Sequence, residues 1–175
     1  MIIIKDKQFV PYLSAKALDK RIKQLGKQIS EDYKGRRPIL IGILNGSFMF
    51  CSDLVKEIDL NTIISFVKFS SYQSTASSGT VKDLIGLEYP IIGEDIILIE
   101  DIIDTGLTMQ HMLKVVKEKK PKSIAIASLL LKPEALRIPV EIKYLGFEIP
   151  NKFVVGYGLD YDGLGRNLKE IYQLK

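Results

Sequence analysis

Ile96-Ile97-Leu98-Ile99-Glu100-Asp101-Ile102-Ile103-Asp104-Thr105-Gly106-Leu107-Thr108 is the stretch whose reading decides the fold. Its leading aliphatic run suits a strand buried on both faces of a parallel sheet. Glu100 and Asp101 stand where such a strand is expected to end. Asp104-Thr105-Gly106-Leu107-Thr108 then leads into a helical pattern. A strand, a Gly- and Thr-bearing loop and a helix N-terminus bring free backbone N–H groups and the positive end of the helix dipole to one point. That arrangement is a cradle for phosphate. A plain helix cap accounts for Asp104 or Thr105, but not for two carboxylates closing an aliphatic strand. Carboxylates repel a phosphate unless a divalent cation or sugar hydroxyls intervene. The simplest ligand meeting both demands is a phosphorylated ribose with Mg²⁺ nearby.

Downstream, Thr108–Lys120 reads as a helix, with Leu107, His111, Met112, Val115 and Val116 as its inner face. His111 is the only histidine. It reads as a packed side chain, because no Ser, Cys or acid partner is implied beside it. Ser123–Leu131 is a second aliphatic strand, ending at Lys132-Pro133. A lysine emerging there points to the sheet end where α/β proteins bind ligands. A strand-end lysine snorkelling to solvent is an equal reading from spacing alone. Glu141–Glu148 and Phe153–Tyr157 complete the strand pattern.

Upstream, Ser14–Tyr33 reads as an amphipathic helix with Leu18, Ile22, Leu25 and Ile29 inside and Ser14 as N-cap. Lys16, Lys20, Arg21, Lys23 and Lys27 are assigned to its solvated face. A strand at Ile39–Leu44 is followed by the turn Asn45-Gly46-Ser47. The next helix carries Phe48, Cys51, Leu54, Val55 and Ile58 on one side, and Ser47 is its expected cap. Thr62–Phe69 is a β-branched and aromatic strand. The polar run 70–80 that follows has no aliphatic side chain larger than alanine, and a long loop of that kind is read as a catalytic lid. Leu84–Tyr89 is a short strand candidate. Alternating strands and helices give an α/β class with a mostly parallel central sheet flanked by helices.

With 175 residues and 46% hydrophobic content, the chain is long enough for one domain with a sizeable core. The lone Cys51 excludes an internal disulfide and fits a cytoplasmic location. One histidine and one cysteine leave no zinc site of ordinary composition. No apolar run approaches the roughly 20 residues of a membrane span, and the N-terminus lacks the pattern of a signal peptide. A net charge of +4 suits an anionic substrate without demanding nucleic acid, so neither membrane nor nucleic acid is expected as a partner.

The thirteen residues of the opening stretch resemble the phosphoribosyl-pyrophosphate (PRPP) signature of the type I phosphoribosyltransferases. Leu44-Asn45-Gly46-Ser47, Ser71-Tyr72, Ser128–Lys132 and Phe147–Tyr161 extend that likeness over nearly the whole chain. The last of these resembles the purine hood of the hypoxanthine-guanine branch. The resemblance implies one domain over 1–175, with its core at about 14–148 and a small purine-binding hood from the N-terminal segment and about 149–175. It implies a pentosyl transfer in purine salvage: PRPP and hypoxanthine or guanine give IMP or GMP and pyrophosphate, with Mg²⁺.

By the same resemblance, Asp104 is the general base beside purine N7. Glu100 and Asp101 meet the ribose hydroxyls, directly or through metal-bound water. Asp104, Thr105, Gly106, Leu107 and Thr108 form the nest for the 5-phosphate. Asn45, Gly46 and Arg166 border the pyrophosphate, and Ser71 and Tyr72 begin the lid. Asn45 departs from the lysine or arginine frequent at its position in the family. Lys132 donates to the purine O6, Phe153 stacks on the base, and Val154 contributes backbone groups. Asp160 lies near the purine 2-position and helps hold a second Mg²⁺, and Glu100 and Asp101 are metal ligands as well. The Leu44–Asn45 peptide is expected to be cis or strained, because a backbone N–H must turn toward pyrophosphate. A homodimer or homotetramer is implied, with the exposed apolar side of the Phe48–Ile58 helix as interface. Two rivals stand beside this reading. One is a xanthine-preferring or broad 6-oxopurine transferase, and the other is a PRPP-sensing regulator that binds nucleic acid.

Overall fold

Strands and helices alternate along most of the chain, and the two exceptions, at the termini, find each other. The computed structural model describes residues 1–69, 83–87 and 89–175. The expected lid, with Ser71 and Tyr72, lies outside the described residues. β1 (Ile2–Ile4) and β2 (Lys7–Leu13) form a hairpin, and α1 (Ala15–Asp32) follows. β3 (Ile39–Leu44), α2 (Phe48–Lys56), β4 (Ile63–Phe69) and β5 (Asp83–Ile85) come next. β6 (Asp95–Ile103), α3 (Leu107–Glu118), β7 (Ser123–Leu131) and a 3₁₀ turn at Pro133–Ala135 lead to β8 (Tyr144–Glu148). β9 (Val154–Val155) and β10 (Ile171–Leu174) end the chain.

The central sheet has six strands in the order β5-β4-β3-β6-β7-β8. All are parallel except β5, which runs antiparallel to β4. A second, antiparallel sheet of four strands, β1-β2-β10-β9, joins the N-terminus to the C-terminal segment. The sequence reading placed these two segments together but gave no strands to β1, β2 or β10. Those strands are stabilised by partners distant in sequence, and the strand expected at Phe153–Tyr157 is present but spans only Val154–Val155.

β6 shows why its aliphatic run does not alternate. Ile97 and Ile99 pack with Leu40 beneath Leu18, Ile22, Leu25 and Ile29 of α1 and Phe50, Cys51 and Leu54 of α2. Ile96 and Leu98 pack with Ile39 and Ile41 against Met109, Met112 and Val116 of α3. Both faces are covered, so every position is apolar. Ser14 caps α1 as expected, its Oγ accepting from the Ala17 N–H at 3.3 Å.

Four local expectations change. The inner row of α3 is Met109, Met112 and Val116, while Leu107 is half exposed. The helix starts at Leu107 directly after the left-handed Gly106, which sets that i, i+3, i+7 row inward. Ser47 is fully buried and does not cap α2; its hydroxyl instead donates back to the Ile43 carbonyl at 2.6 Å. β8 begins at Tyr144, so Glu141–Lys143 is not strand. Arg21 leaves the solvated face, and its guanidinium donates to the carbonyls of Gly146 at 3.1 Å and Leu145 at 2.5 Å.

β8 is an edge strand, and Arg21 fixes it to α1. Charged hydrogen bonds contribute about 1.5–3 kcal/mol. Arg21→Ala is therefore expected to lower Tm by about 3–12 °C in a chain of this size. Arg21→Lys should recover less than half of that, since an ammonium cannot span both carbonyls as the fork does. Thermal melts followed by circular dichroism decide it.

Candidate active site

β3 continues through α2 to β4 on one side, and β6 continues through α3 to β7 on the other. The chain therefore parts at the β3/β6 boundary, and ligands of open α/β sheets bind beyond strand ends at such a point. β3 pairs with β6 only as far as Gly42↔Ile99, whereas β6 pairs with β7 through Ile103↔Leu131. Glu100 and Asp101 thus stand within β6, not at its end, on the margin that has lost its β3 neighbour.

Both carboxylates are buried. Burial pushes the Glu100 carboxyl well above its ordinary range, and the adjacent Asp101 charge adds to that. Burial also raises Asp101, against the N–H of Ile102, which donates to its Oδ1 at 2.9 Å, and the Arg166 charge. Two desolvated, hard oxygen donors side by side suit Mg²⁺, which is typically held by one or two carboxylates together with waters and substrate phosphates.

The turn after β3 closes over this pair. The Leu44–Asn45 peptide is cis, as expected. A Cβ on Gly46 would lie 1.7 Å from Asp101 Oδ2, so only glycine lets the turn approach the acid. A Cβ on Gly158 would lie 2.1 Å from the Gly46 carbonyl oxygen. Asp101, Gly46 and Gly158 are therefore stacked in direct contact. Arg166 reaches the same place: Nη1 donates to the Gly158 carbonyl at 2.7 Å, and Nη2 pairs with Asp160 Oδ1 at 2.7 Å. Asp160 Oδ2 accepts from the Gly163 N–H at 2.7 Å. Asn45 is exposed at the rim.

On the other side of the crevice, Lys132 Nζ donates to Asp104 Oδ2 at 2.9 Å. Register explains the pair, because Ile103 and Leu131 are partners and the two residues leave adjacent strands together. The Lys132 side chain is only 9% exposed and that of Asp104 44% exposed, so the amine is set in the wall and the carboxylate opens to the cleft. The Lys132 N–H also donates to the Ile103 carbonyl at 3.0 Å, so the strand-end lysine is held inward and does not snorkel.

Thr105, Gly106, Leu107 and Thr108 wrap the start of α3. Gly106 has φ +83°, and a Cβ there would meet the Ile138 carbonyl at 2.6 Å. The Thr105 carbonyl accepts from the N–H groups of Arg137 and Ile138 at 3.1 and 3.2 Å. A cavity of about 80 Å³ is lined by Glu100, Asp104, Thr105, Gly106 and Thr108 among others. Ligand sites commonly run about 300–1,000 Å³, so this one takes a single small group.

Phe153 is 42% exposed and packs in an aromatic nest with Phe9 and Tyr161, its ring centroid 6.3 and 5.9 Å from theirs. Val154 is buried in β9. The Ile149 N–H donates to the Leu131 carbonyl at 2.8 Å, so the segment carrying Phe153 departs from beside Lys132. The sequence reading did not single out Gly158, Phe9 or Tyr161. Gly156-Tyr157-Gly158 was a legible signal, since glycines flanking an aromatic mark close backbone approach.

Residues 12–162 match the phosphoribosyl transferase domain. A hypoxanthine-guanine phosphoribosyltransferase of Dictyostelium discoideum is 42% identical over 165 residues, 91% of this chain and 92% of that protein. The Bacillus subtilis protein of that name is 42% identical over 164 residues, 93% of this chain and 91% of its own. A solved hypoxanthine-guanine phosphoribosyltransferase from Bacillus anthracis superposes with a TM-score of 0.89 at 36% identity, covering 97% of this chain and 98% of that one.

The raised Glu100 carboxyl carries a pH signature. Between its unfolded value near 4.5 and its higher folded value, the folded chain holds more proton than the unfolded one. Stability from this group is present at low pH and lost as pH rises. Without divalent ions, Glu100→Gln should be the more stable protein at about pH 8, and its Tm should fall less than the parent's between about pH 5 and 8. Parallel melts of both proteins across that range test it, and a parent slope matched by the variant contradicts it.

Proposed function

The chain belongs to the phosphoribosyl transferase family, in its hypoxanthine-guanine branch, and we propose from that premise how its residues divide the reaction. Ribose 5-phosphate passes from PRPP to hypoxanthine or guanine, giving IMP or GMP and pyrophosphate.

The observation that carries the assignment of roles is the Asp104–Lys132 pair. N7 and O6 are neighbours on one edge of a 6-oxopurine: both accept in the nucleotide, but the free base that carries its proton on N7 offers a donor at N7 beside the acceptor O6. A carboxylate and an ammonium 2.9 Å apart match that edge. Asp104 takes the N7 proton as the glycosidic bond forms, and Lys132 donates to O6. Adenine presents a donor at its 6-position, which Lys132 cannot satisfy. Phe153, backbone groups of Val154 and Asp160 complete the base site.

On the PRPP side, C1 of the ribose becomes oxocarbenium-like while pyrophosphate leaves with growing negative charge. Backbone N–H groups of Thr105–Thr108 hold the 5-phosphate at the N-terminus of α3. Asn45, Gly46 and Arg166 border the pyrophosphate, and Ser71 and Tyr72 are assigned to PRPP binding by resemblance alone. Arg166 supplies the positive charge that Asn45 does not. Glu100 and Asp101 would hold one Mg²⁺ and Asp160 would help hold a second, and the ions would supply charge neutralisation to the leaving group.

We place the reaction in the cytoplasm. No helix among the described residues is long and apolar enough to cross a membrane. The chain acts as one unit over 1–175, with a core at about 14–148 and a hood from the N-terminal segment and about 149–175. It assembles as a homodimer or homotetramer, and the half-exposed Phe48 on α2 supports that helix as the interface.

General-base catalysis contributes about 10²–10⁴-fold, so Asp104→Asn should lower kcat by that order while PRPP binding persists. A change below about threefold with chemistry rate-limiting removes the role. Lys132→Ala leaves O6 unpaired, at roughly 1–3 kcal/mol, and should weaken hypoxanthine and guanine far more than PRPP. Pyrophosphate release with hypoxanthine, guanine and xanthine at equal concentration separates this reading from a xanthine-preferring enzyme. Absence of turnover with all three overturns it.

A further inference from the structure

Tyr157 sits between Gly156 and Gly158, and all three have left-handed backbone, with φ of +103°, +52° and +98°. A bulky residue rarely adopts that conformation without something to hold it. Two things hold it here. The ring is buried in the core that covers the α1/α2 face of the sheet. The hydroxyl donates to Asp53 Oδ2 on α2, and a phenol donating to a carboxylate makes a charge-assisted bond. The charges agree with that assignment. Burial pushes the Tyr157 hydroxyl well above its ordinary range, with the Asp53 bond adding to the shift, so the phenol stays a donor. Burial opposes the Asp53 charge, but Lys56 and the Tyr157 hydroxyl outweigh it and hold the carboxyl below its ordinary range.

Asp53 lies on the helix that begins directly after Asn45-Gly46-Ser47. Tyr157 directly precedes Gly158, whose α-carbon rests on the Gly46 carbonyl and whose own carbonyl receives Arg166. The segment 157–166 and the unit formed by turn 45–47 with α2 therefore meet at two points. Contact at Gly158–Gly46 alone leaves an axis about which the two can tilt. The Tyr157–Asp53 bond is a second point of attachment and opposes that tilt.

We infer that the Tyr157–Asp53 hydrogen bond is a positioning strut for the PRPP half of the site. It sets Arg166 and Asp160 against the Asn45-Gly46 turn and does not touch the substrates. This inference rests on the functional reading above. The edge that recognises N7 and O6 is built separately, from Asp104 and Lys132 at the ends of β6 and β7, and Asp160 adds only a contact near the purine 2-position, so the strut acts on PRPP far more than on hypoxanthine.

KM for PRPP, KM for hypoxanthine, kcat and Tm are to be measured in the parent, Tyr157→Phe, Asp53→Ala, Asp53→Asn and the Tyr157→Phe/Asp53→Ala double variant. Loss of one such bond is expected to raise KM for PRPP about three- to tenfold in Tyr157→Phe and in Asp53→Ala, leaving KM for hypoxanthine within about twofold. The double variant should match the single ones, as two ends of one interaction do. Asp53→Asn keeps an acceptor and should stay within about threefold of the parent. Equal rises for both substrates, additive effects in the double variant, or a lower Tm with unchanged KM values would each overturn the strut. A parent without turnover overturns the functional reading instead, and PRPP binding by calorimetry across the same variants then decides the strut.

Discussion

Everything at this site depends on β3 and β6 ceasing to pair after Gly42↔Ile99. Up to that point the two strands share hydrogen bonds and apolar faces. Beyond it β6 keeps only β7, and one margin of the strand lies open. Two carboxylates occupy that margin, where ordinary sheet packing would leave them without compensation. Their raised titration is the energetic mark of that position. The fold accepts a local loss of stability so that hard oxygen donors face a crevice at the end of a rigid strand.

Glycines then determine how closely the rest of the chain can approach. Gly46 lies against Asp101, and Gly158 lies against Gly46. The turn after β3 therefore rests on the Asp101 carboxylate, and the C-terminal segment rests on that turn backbone to backbone. The second sheet contributes through the same contact. β10 pairs with both β2 and β9, tying the N-terminal hairpin to the segment that bears Phe153, Asp160 and Arg166.

The Asp104–Lys132 pair illustrates a different economy. Neighbouring parallel strands of matched register end side by side, and each delivers one charged side chain to the same spot. The pair satisfies itself in the free protein, which avoids an unpaired, nearly buried ammonium. It also presents an acceptor and a donor in the spacing that one purine edge offers in reverse.

The sequence by itself determined the central elements, because aliphatic runs and helical periodicity are local signals. Ile39–Leu44, Ser123–Leu131, the row Leu18/Ile22/Leu25/Ile29 and the Ser14 cap were legible from spacing. The family was legible from the thirteen-residue stretch around Glu100 and Asp101. Spacing could not say that Arg21 binds β8 carbonyls, that Ser47 turns back to Ile43, or that β1, β2, β9 and β10 form one sheet. Nor could it say that Gly158 lies on Gly46, or that Tyr157 reaches Asp53 across 104 positions. Periodicity records which face of an element is apolar. It does not record which distant element covers that face, and only the tertiary structure, by bringing those elements together, decided it.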